Sequence, residues 1–369
     1  MTTSTQDAPP RTFTRRMLGI LGTIAIQLLI FLALLEIVAR FTNPIGISYY
    51  NESARLFDFM ILEEPIGYRL PPGLKDNFYG VPVEINALGM RDRPVGEKAP
   101  GEHRILAMGD SVIFSVGVAL EDSIPLNLER LANVSAPESR NYRVLNMGVP
   151  SYNTVQELEQ LKQVGQHLEA DSAFLFIIPN DIQDKMWVYG KQKNFVIDNA
   201  RRSYALGLIF YAGRWIVNAI GFNTNPNQNV REDDWEVLPE EELDAAKKSG
   251  KHLRGNTVFN REKVLADPGW QNIEQSLVEI SRILKAHGVP LLIFYRSNFR
   301  TSYAIRIHEL ADQEGFAAHK LDIWNDPRWE ALDKADYVNS PTDSHCNPKG
   351  CELYATVIYE GLMKEGMLD

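Results

Sequence analysis

The sequence predicts an α/β domain built on a parallel sheet with helices on both faces, preceded by one membrane-spanning helix. From Arg104 onward, short apolar runs alternate with amphipathic segments of helical length. Apolar strands that alternate with helices are typical of βαβ units, whose sheet is buried on both faces. Near the N-terminus, residues 17–35 carry no charge and are long enough to cross a bilayer.

The alternation allows each element to be placed. The predicted strands are RILAMG (104–109), RVLNMG (143–148), AFLFIIP (173–179), PLLIFY (290–295) and KLDIW (320–324). The predicted helices cover residues 124–133, 154–167, 270–287, 303–314 and 349–364. Asn347 and Pro348 suit the N-cap and first-turn positions of the last helix.

The uncharged segment 17–35 has only Thr23 and Gln27 as polar side chains. A bilayer core of ~30 Å needs about 20 residues at ~1.5 Å per residue, so this segment matches a transmembrane helix. A cleaved signal peptide has a shorter apolar stretch of ~7–15 residues and a small-residue cleavage site. A buried core helix is the other alternative, but the segment has no polar face.

The charges that flank this segment predict its orientation. Arg11, Arg15 and Arg16 precede it, and Arg40 is the only basic residue close behind it. The positive-inside rule therefore keeps the N-terminus in the cytoplasm and exports everything after the helix, so that the domain is periplasmic or extracellular.

We divide the chain as follows: cytoplasmic tail 1–16, transmembrane anchor 17–40, extended lead-in 41–100, and the α/β domain 101–369 with an insert or lid at about 182–269. The insert contains an apolar stretch, 203–222, with Arg202 at its edge and Arg214 in its middle. A central charge costs ~2.5–3.5 kcal/mol on insertion scales, which disfavours a second transmembrane helix. A lid over the active site, or a face resting on the membrane, fits better.

Composition excludes some classes of function. The chain has 369 residues and a net charge of −10, and a general nucleic-acid binder needs a basic face instead. No His, Cys or carboxylate spacing is typical of a metal site, and no cofactor is expected. Cys346 and Cys351 either form a bridge in an oxidising compartment or remain free thiols.

Polar clusters follow the predicted strands. Ser111 follows the first strand, Gly148 the second and Asn180 the third, and Asp343 and His345 precede the last helix. Ligands of open parallel sheets bind beyond the carboxyl ends of the strands. Each cluster alone is typical of an ordinary turn. Their joint occurrence at these positions favours a catalytic site.

These residue types suit acyl chemistry. A serine hydroxyl needs an adjacent base to become a nucleophile, and His345 can take the proton of Ser111. Asp343 can hold the imidazole in one tautomer. The tetrahedral oxyanion needs donors, and the N–H groups of Ser111 and Gly148 and the side-chain amide of Asn180 are the candidates for this oxyanion hole.

With these residues in view, the chain resembles the SGNH (GDSL) hydrolase family. Ser111, Gly148, Asn180 and His345 match its four signature residues in order, over roughly residues 84–364. The sequence INALGMRD, followed by RILAMGDS, resembles the membrane-anchored branch found with polysaccharide-modifying systems. The resemblance implies a three-layer α/β/α sandwich with a flavodoxin-like parallel sheet, and acyl-ester hydrolysis or acyl transfer without a cofactor.

Two positions depart from the family pattern. Pro179 stands where many members have glycine, and Thr342 stands where many have the triad aspartate, so Asp343 is only two residues before the histidine. The orienting role of Asp343 is therefore expected on a shorter spacing than usual. Asp110 and Asp181 are expected to stabilise their loops.

The sequence leaves three functions open. The leading one is an exported serine esterase that hydrolyses acyl esters, mainly acetyl esters, on carbohydrates. The second is an O-acyltransferase with the same triad, acting on an exopolysaccharide or cell-envelope glycan. The third is a non-catalytic scaffold of an envelope assembly, which the intact Ser111 and His345 disfavour. The expected partners are the acylated substrate and the membrane, without nucleic acid.

Overall fold

The computed structural model describes residues 11–182, 202–219, 235–249, 253–254, 257–296, 301–323, 328 and 333–368. The helices are α1 (Arg11–Thr42), α2 (Ser48–Phe59), α3 (Ser111–Phe114), α4 (Ile124–Ser135), α5 (Thr154–Gln163), α6 (Tyr204–Ala219), α7 (Glu240–Lys248), α8 (Arg261–Leu265), α9 (Pro268–Ala286), α10 (Thr301–Glu314) and α11 (Pro348–Lys364). The strands are β1 (Ile61–Glu63), β2 (Gly67–Arg69), β3 (Lys75–Phe78), β4 (Val81–Glu84), β5 (Glu102–Gly109), β6 (Asn141–Asn146), β7 (Ser172–Ile177), β8 (Trp235–Val237), β9 (Leu253–Arg254), β10 (Thr257–Phe259), β11 (Leu291–Arg296), β12 (Ala317–Leu321), β13 (Val338–Ser340) and β14 (Asp343–Cys346).

The central sheet has five strands in the order β12-β11-β7-β5-β6, and every neighbouring pair is parallel. Counted along the chain, this order is 2-1-3-4-5, which is the flavodoxin-like arrangement. The predicted fold class is confirmed. Because β5 lies between β6 and β7, the loops that follow these three strands meet at one edge of the sheet.

Alternate residues of the strands supply two cores, one on each face of the sheet. On one face, Leu106 and Met108 of β5 pack with residues of α5, α9 and α10. On the other face, Ile105 and Ala107 pack with residues of α4 and α11. All four side chains have no exposed surface. Burial on both faces explains why β5 reads as a continuous apolar run, and it produces the three-layer sandwich.

The lead-in was predicted to be extended, and it instead contains the 12-residue helix α2 and the hairpins β1–β2 and β3–β4. Their buried side chains form a third cluster together with Phe114 and Val116, which follow the predicted nucleophile. Strand β3 exposes three of its four residues. Its sequence therefore lacks the alternation of apolar and polar residues that would identify a strand.

Two charged residues of the INALGMRD segment fasten the lead-in to the sheet. Arg91 is buried and donates hydrogen bonds of 2.6–2.8 Å to three backbone carbonyls in segment 114–118. Asp92 accepts the backbone N–H of Asn146 at the end of β6, at 3.0 Å. The segment therefore holds the turn that carries Ser111.

The predicted helices and four of the predicted strands lie where they were expected, within a few residues at their ends. The fifth strand differs. β12 covers Ala317–Leu321 instead of 320–324, and Trp324 lies outside the described residues. β12 is an edge strand in which only Leu321 is fully buried, so most of its residues are not part of an apolar run. The predicted strand was therefore placed too far toward the C-terminus.

The described part of the insert contains α6, α7, α8 and a small antiparallel sheet of order β8-β10-β9. α6 packs against α1 and α2. The side chain of Arg214 lies outside the described part of the structure.

The N-terminal helix contains the segment Arg15–Thr42, which is long and apolar enough to cross a membrane by length and composition. The side chains of residues 15–31 are all exposed. This part of the helix, residues 15–31, is therefore not in the core of the domain.

Candidate active site

The turn after β5 presents Ser111 at the carboxyl end of a central strand. Asp110 caps α3, because its Oδ1 accepts the N–H of Val112 at 2.9 Å. Gly109 is required by space, since a β-carbon there would lie 2.5 Å from Cγ1 of Ile113. The tight turn leaves Ser111 at the first position of a helix, half-exposed above the sheet.

His345 lies between Ser111 and Asp343. Its Nε2 is 2.8 Å from Oγ of Ser111, and its Nδ1 is 2.5 Å from Oδ1 of Asp343. A carboxylate can only accept, so Nδ1 carries the proton and Nε2 is left to accept the serine hydroxyl. The structure thus brings together the three residues predicted for catalysis, in the geometry of a nucleophile, a base and a group that orients the base.

The short D-x-H spacing works because both residues are in β14. Successive side chains of a strand alternate between its two faces, so Asp343 and His345 point to the same face and Ser344 to the opposite one. Asp343 is buried, and its Oδ1 also accepts the backbone N–H of His345 at 3.1 Å.

Asn339 is a member of the site that the sequence did not reveal. Its Nδ2 donates to Oδ2 of Asp343 at 3.0 Å and to the carbonyl of Val116 at 2.8 Å. It therefore connects the carboxylate to the loop that follows the nucleophile. A lone asparagine four residues before Asp343 carries no sequence signal.

The segment just after the anchor helix packs on the catalytic loop, by which we mean the segment from Asn339 to His345. The hydroxyl of Thr342 donates a hydrogen bond shared between the carbonyl oxygens of Ile45 and Gly46, at 3.0 and 2.7 Å. The ring of Tyr49 lies 5.8 Å from the imidazole of His345. Burial, and then the negative charge of Asp343, raise the pKa of Tyr49, so it stays a neutral phenol. The sequence did not predict this contact.

Of the two oxyanion donors predicted at Gly148 and Asn180, the structure describes the surroundings of Gly148. The N–H of Gly148 donates to Oδ1 of Asn146 at 2.9 Å, so it would have to leave this partner to bind an oxyanion. A β-carbon at Gly148 would lie 2.1 Å from the backbone N of Phe114, which is sufficient reason for glycine here. The side chain of Asn180 lies outside the described part of the structure. Both oxyanion roles remain predictions.

The N–H of Ser111, the third predicted donor, belongs to the first turn of α3. N–H groups at this position of a helix have no acceptor within the helix, and the helix dipole favours negative charge there. Ser111 is therefore suited to be both nucleophile and oxyanion donor.

Three carboxyl groups lie behind the nucleophile turn. Asp110 caps α3, as described above, and Asp181 accepts the N–H of Ile178 at 2.7 Å and the hydroxyl of Thr154 at 3.1 Å. Both therefore make the loop-stabilising contacts expected of them. Glu157 has no exposed surface, and within the described residues neither of its oxygens has a hydrogen-bond partner.

Burial is the main cause that raises the pKa of Glu157, followed by the charges of Asp181 and Asp110. Burial and the charge of Asp110 likewise raise the pKa of Asp181. The protonated form of Glu157 is therefore favoured in the folded protein over what an exposed carboxyl would show. Among the described residues, no group of three or more His, Cys, Asp or Glu side chains is arranged to hold a metal ion.

Cys346 and Cys351 form a disulfide, which decides between the two alternatives left open by the sequence. The bridge joins the residue after His345 to the first turn of α11. It fastens the end of β14, which carries His345, to the start of α11.

Comparisons with known proteins find similar proteins among the solved structures. No family model and no curated protein matches the sequence. Among solved structures, the chain is similar to LAE5, an alpha/beta hydrolase enzyme from the metagenome of Lake Arreo, with 12% identity and a TM-score of 0.39, covering 72% of this chain and 96% of that one. It is similar to the psychrotrophic esterase EstA from Pseudoalteromonas sp., with 12% identity and a TM-score of 0.38, covering 71% and 97%.

A third similar structure is a catalytic mutant of Axe2, an acetylxylan esterase from Geobacillus stearothermophilus, with 12% identity and a TM-score of 0.38, covering 72% of this chain and 95% of that one. At this identity no activity passes from those proteins to this chain.

The protonated Glu157 predicts a pH-dependent stability. Its pKa is raised in the folded state, so its contribution to stability is fully present below the ordinary carboxyl pKa of 4.5 and is lost as the pH rises from there towards the raised value. Glu157→Gln replaces the acid with a neutral side chain of the same shape. We expect it to raise the melting temperature at pH 8 and to have little effect near pH 4, so that the variant and the wild type differ mainly at the higher pH.

Thermal unfolding of the purified full chain at both pH values measures this difference. Glu138→Gln, at an exposed position, is the matched control and should change the melting temperature little at either pH. An equal effect of Glu157→Gln at pH 4 and pH 8 would show that Glu157 is not held protonated.

Proposed function

We propose that this chain is a membrane-anchored serine ester hydrolase that works outside the membrane on acyl esters of carbohydrates. The single observation that carries the proposal is the pair of hydrogen bonds that joins Ser111, His345 and Asp343. The resemblance in sequence to enzymes of polysaccharide modification favours acetyl esters of carbohydrates as the substrate class.

In the acylation step, His345 Nε2 takes the proton of the Ser111 hydroxyl as its Oγ attacks the ester carbonyl. The imidazolium that forms carries a positive charge, and the carboxylate of Asp343 at 2.5 Å stabilises it. Collapse of the tetrahedral intermediate breaks the ester C–O bond, and His345 returns the proton to the leaving alcohol. The acyl group is then bonded to Oγ of Ser111.

In the deacylation step, His345 removes a proton from water, whose oxygen attacks the acyl carbon. The bond between the acyl group and Oγ of Ser111 then breaks, His345 returns the proton to Oγ, and the acid is released. If a sugar hydroxyl attacks instead, the same residues perform acyl transfer. The N–H of Ser111 and the amide of Asn180 are the proposed donors to the oxyanion in both steps. Gly148 joins them if Asn146 releases its N–H.

Three observations support an exported location. The charges of Arg11, Arg15 and Arg16 before the anchor favour a cytoplasmic N-terminus. The helix Arg15–Thr42 is long enough to span a bilayer. The disulfide beside His345 fits an oxidising compartment.

The catalytic pair predicts non-additive losses of activity. Ser111→Ala and His345→Ala should each lower kcat by roughly 10⁴–10⁶, because neither residue works without the other, and the double variant should be about as inactive as either single one. Turnover of 4-nitrophenyl acetate and of an acetylated oligosaccharide measures this, and added unacetylated sugar detects acyl transfer. Ser344→Ala, on the opposite face of β14, is the matched control and should keep full activity.

Two outcomes would contradict this proposal. Full esterase activity in Ser111→Ala would exclude Ser111 as the nucleophile. Absence of turnover by the wild-type chain on every acyl ester would favour the scaffold instead.

The anchor predicts a definite sidedness. Alkaline phosphatase fused after Asp369 should be active, because it folds only outside the cytoplasm, and green fluorescent protein at the same position should be dark. The same reporters fused before Arg11 should give the reverse pattern. A fluorescent C-terminal fusion would show that the domain is cytoplasmic.

A further inference from the structure

The apolar helix α6 of the insert begins beside the membrane anchor. The carboxylate of Glu36, near the C-terminal end of α1, accepts the backbone N–H of Ala205 and the hydroxyl of Ser203, both at 2.8 Å. It therefore caps the N-terminus of α6. The guanidinium of Arg40 lies 5.0 Å from the centre of the Tyr204 ring. These contacts place the first turn of α6 at the level where α1 changes from apolar to charged residues.

The two helices also share apolar surface. On α1, exposure decreases only from Leu32 onward, at Leu32, Leu35, Glu36 and Ala39, which recur on one face of the helix. α6 packs against this end of α1. Both Leu32 and Leu35 belong to the uncharged segment of the anchor, so the partly covered face of α1 extends into a part of the helix that a bilayer would surround.

The other side of α6 is apolar and uncovered. Leu206, Ile209, Phe210 and Ile216 lie on this side at helical spacing, and their exposed fractions run from 42% to 73%. Trp215 is 66% exposed as well. An apolar helix face of this size in contact with water is unfavourable, and in monomeric soluble proteins contiguous apolar patches mark binding sites for a membrane or a protein.

We infer that α6 lies in the interface of the bilayer leaflet that holds the C-terminal turns of α1, with Leu206, Ile209, Phe210 and Ile216 among lipid acyl chains. The inference rests on the anchoring of α1 in the proposed function. Lipid covers the exposed face of α6, because this face continues the apolar surface of α1, which already lies in the bilayer.

The length and charges of α6 fit an interfacial position. Sixteen residues extend about 24 Å at ~1.5 Å per residue, which is short of a full crossing of ~30 Å. Arg202 at its N-terminal end pairs with Asp58 at 2.7 Å, outside the apolar face. Arg214 lies within α6, and a charged residue costs less in a helix at the interface than in one at the bilayer centre.

This position bears on the active site. A β-carbon at Gly207 would lie 3.3 Å from Cγ1 of Ile47, so α6 packs closely on the residue before α2. Ile45 and Gly46 bind Thr342 of the catalytic loop, and Tyr49 lies beside the catalytic imidazole. A membrane-bound α6 therefore holds Ser111 and its partners close to the bilayer surface.

Site-specific fluorescence in lipid bilayers tests the inference. Both native cysteines are in the disulfide, so an introduced cysteine in the full-length chain can be labelled alone with a nitrobenzoxadiazole dye. The labelled positions are Phe210→Cys and Ile209→Cys in α6 and Leu28→Cys in α1. Val134→Cys in α4 is the matched control, since Val134 is an exposed apolar residue, 88% exposed, on the main domain. The chain is reconstituted in phosphatidylcholine–phosphatidylglycerol vesicles, with and without lipids brominated on the acyl chains.

We expect brominated lipid to quench the dye at positions 28, 209 and 210 and to leave the dye at position 134 unchanged. Quenching at position 28 without quenching at 209 or 210 overturns the inference and leaves the anchor intact. An emission blue shift at 210 without quenching, as a second protein copy would produce, also overturns it. Absence of quenching at position 28 would contradict the anchor itself, whereas the esterase assays above do not depend on it.

Discussion

The hydrogen bond from His345 to the carboxylate of Asp343 sets the geometry on which the remainder of the site depends. It exists because β14 is an extended strand, in which residues two apart point to the same face. With Nδ1 engaged at 2.5 Å, only Nε2 can face Ser111, and it does so at 2.8 Å. The disulfide after His345 and the bond from Asn339 fix the two ends of this arrangement.

The site is also tied to the N-terminal part of the chain. Arg91 binds the backbone that follows Ser111. The hydroxyl of Thr342, close to His345, binds the carbonyls of Ile45 and Gly46, which lie only a few residues beyond the end of α1. Burial lowers the pKa of Arg91 to about 10. Three carbonyls accept from its Nη1 and Nη2 in place of water, while its Nε has no hydrogen-bond partner among the described residues. The lead-in is therefore a structural part of the catalytic domain, and a membrane anchor attached through it positions the active site as well as the protein.

Much of the fold could be read from the sequence, because strands buried on both faces leave long apolar runs. The nucleophile and base were recognisable for a similar reason, since Ser111 and His345 each lie beside a strand end with a distinctive neighbourhood. The edge strand β12 was misplaced because only one of its residues is fully buried. Asn339 and Tyr49 could not be predicted, because each reaches the site through tertiary packing and neither lies in a local pattern. For Gly148, the sequence predicts an oxyanion donor, but not that a β-carbon at this position would collide with the backbone of Phe114.

The most direct test of the account is covalent labelling of the purified chain with a fluorophosphonate, followed by mass spectrometry of its peptides. Such a reagent phosphonylates a serine whose proton is removed by an adjacent base. We expect one adduct, on Ser111, in the wild-type chain and none in His345→Ala, while Ser344→Ala is labelled as wild type. Labelling of another serine, or equal labelling of Ser111 without His345, would contradict it.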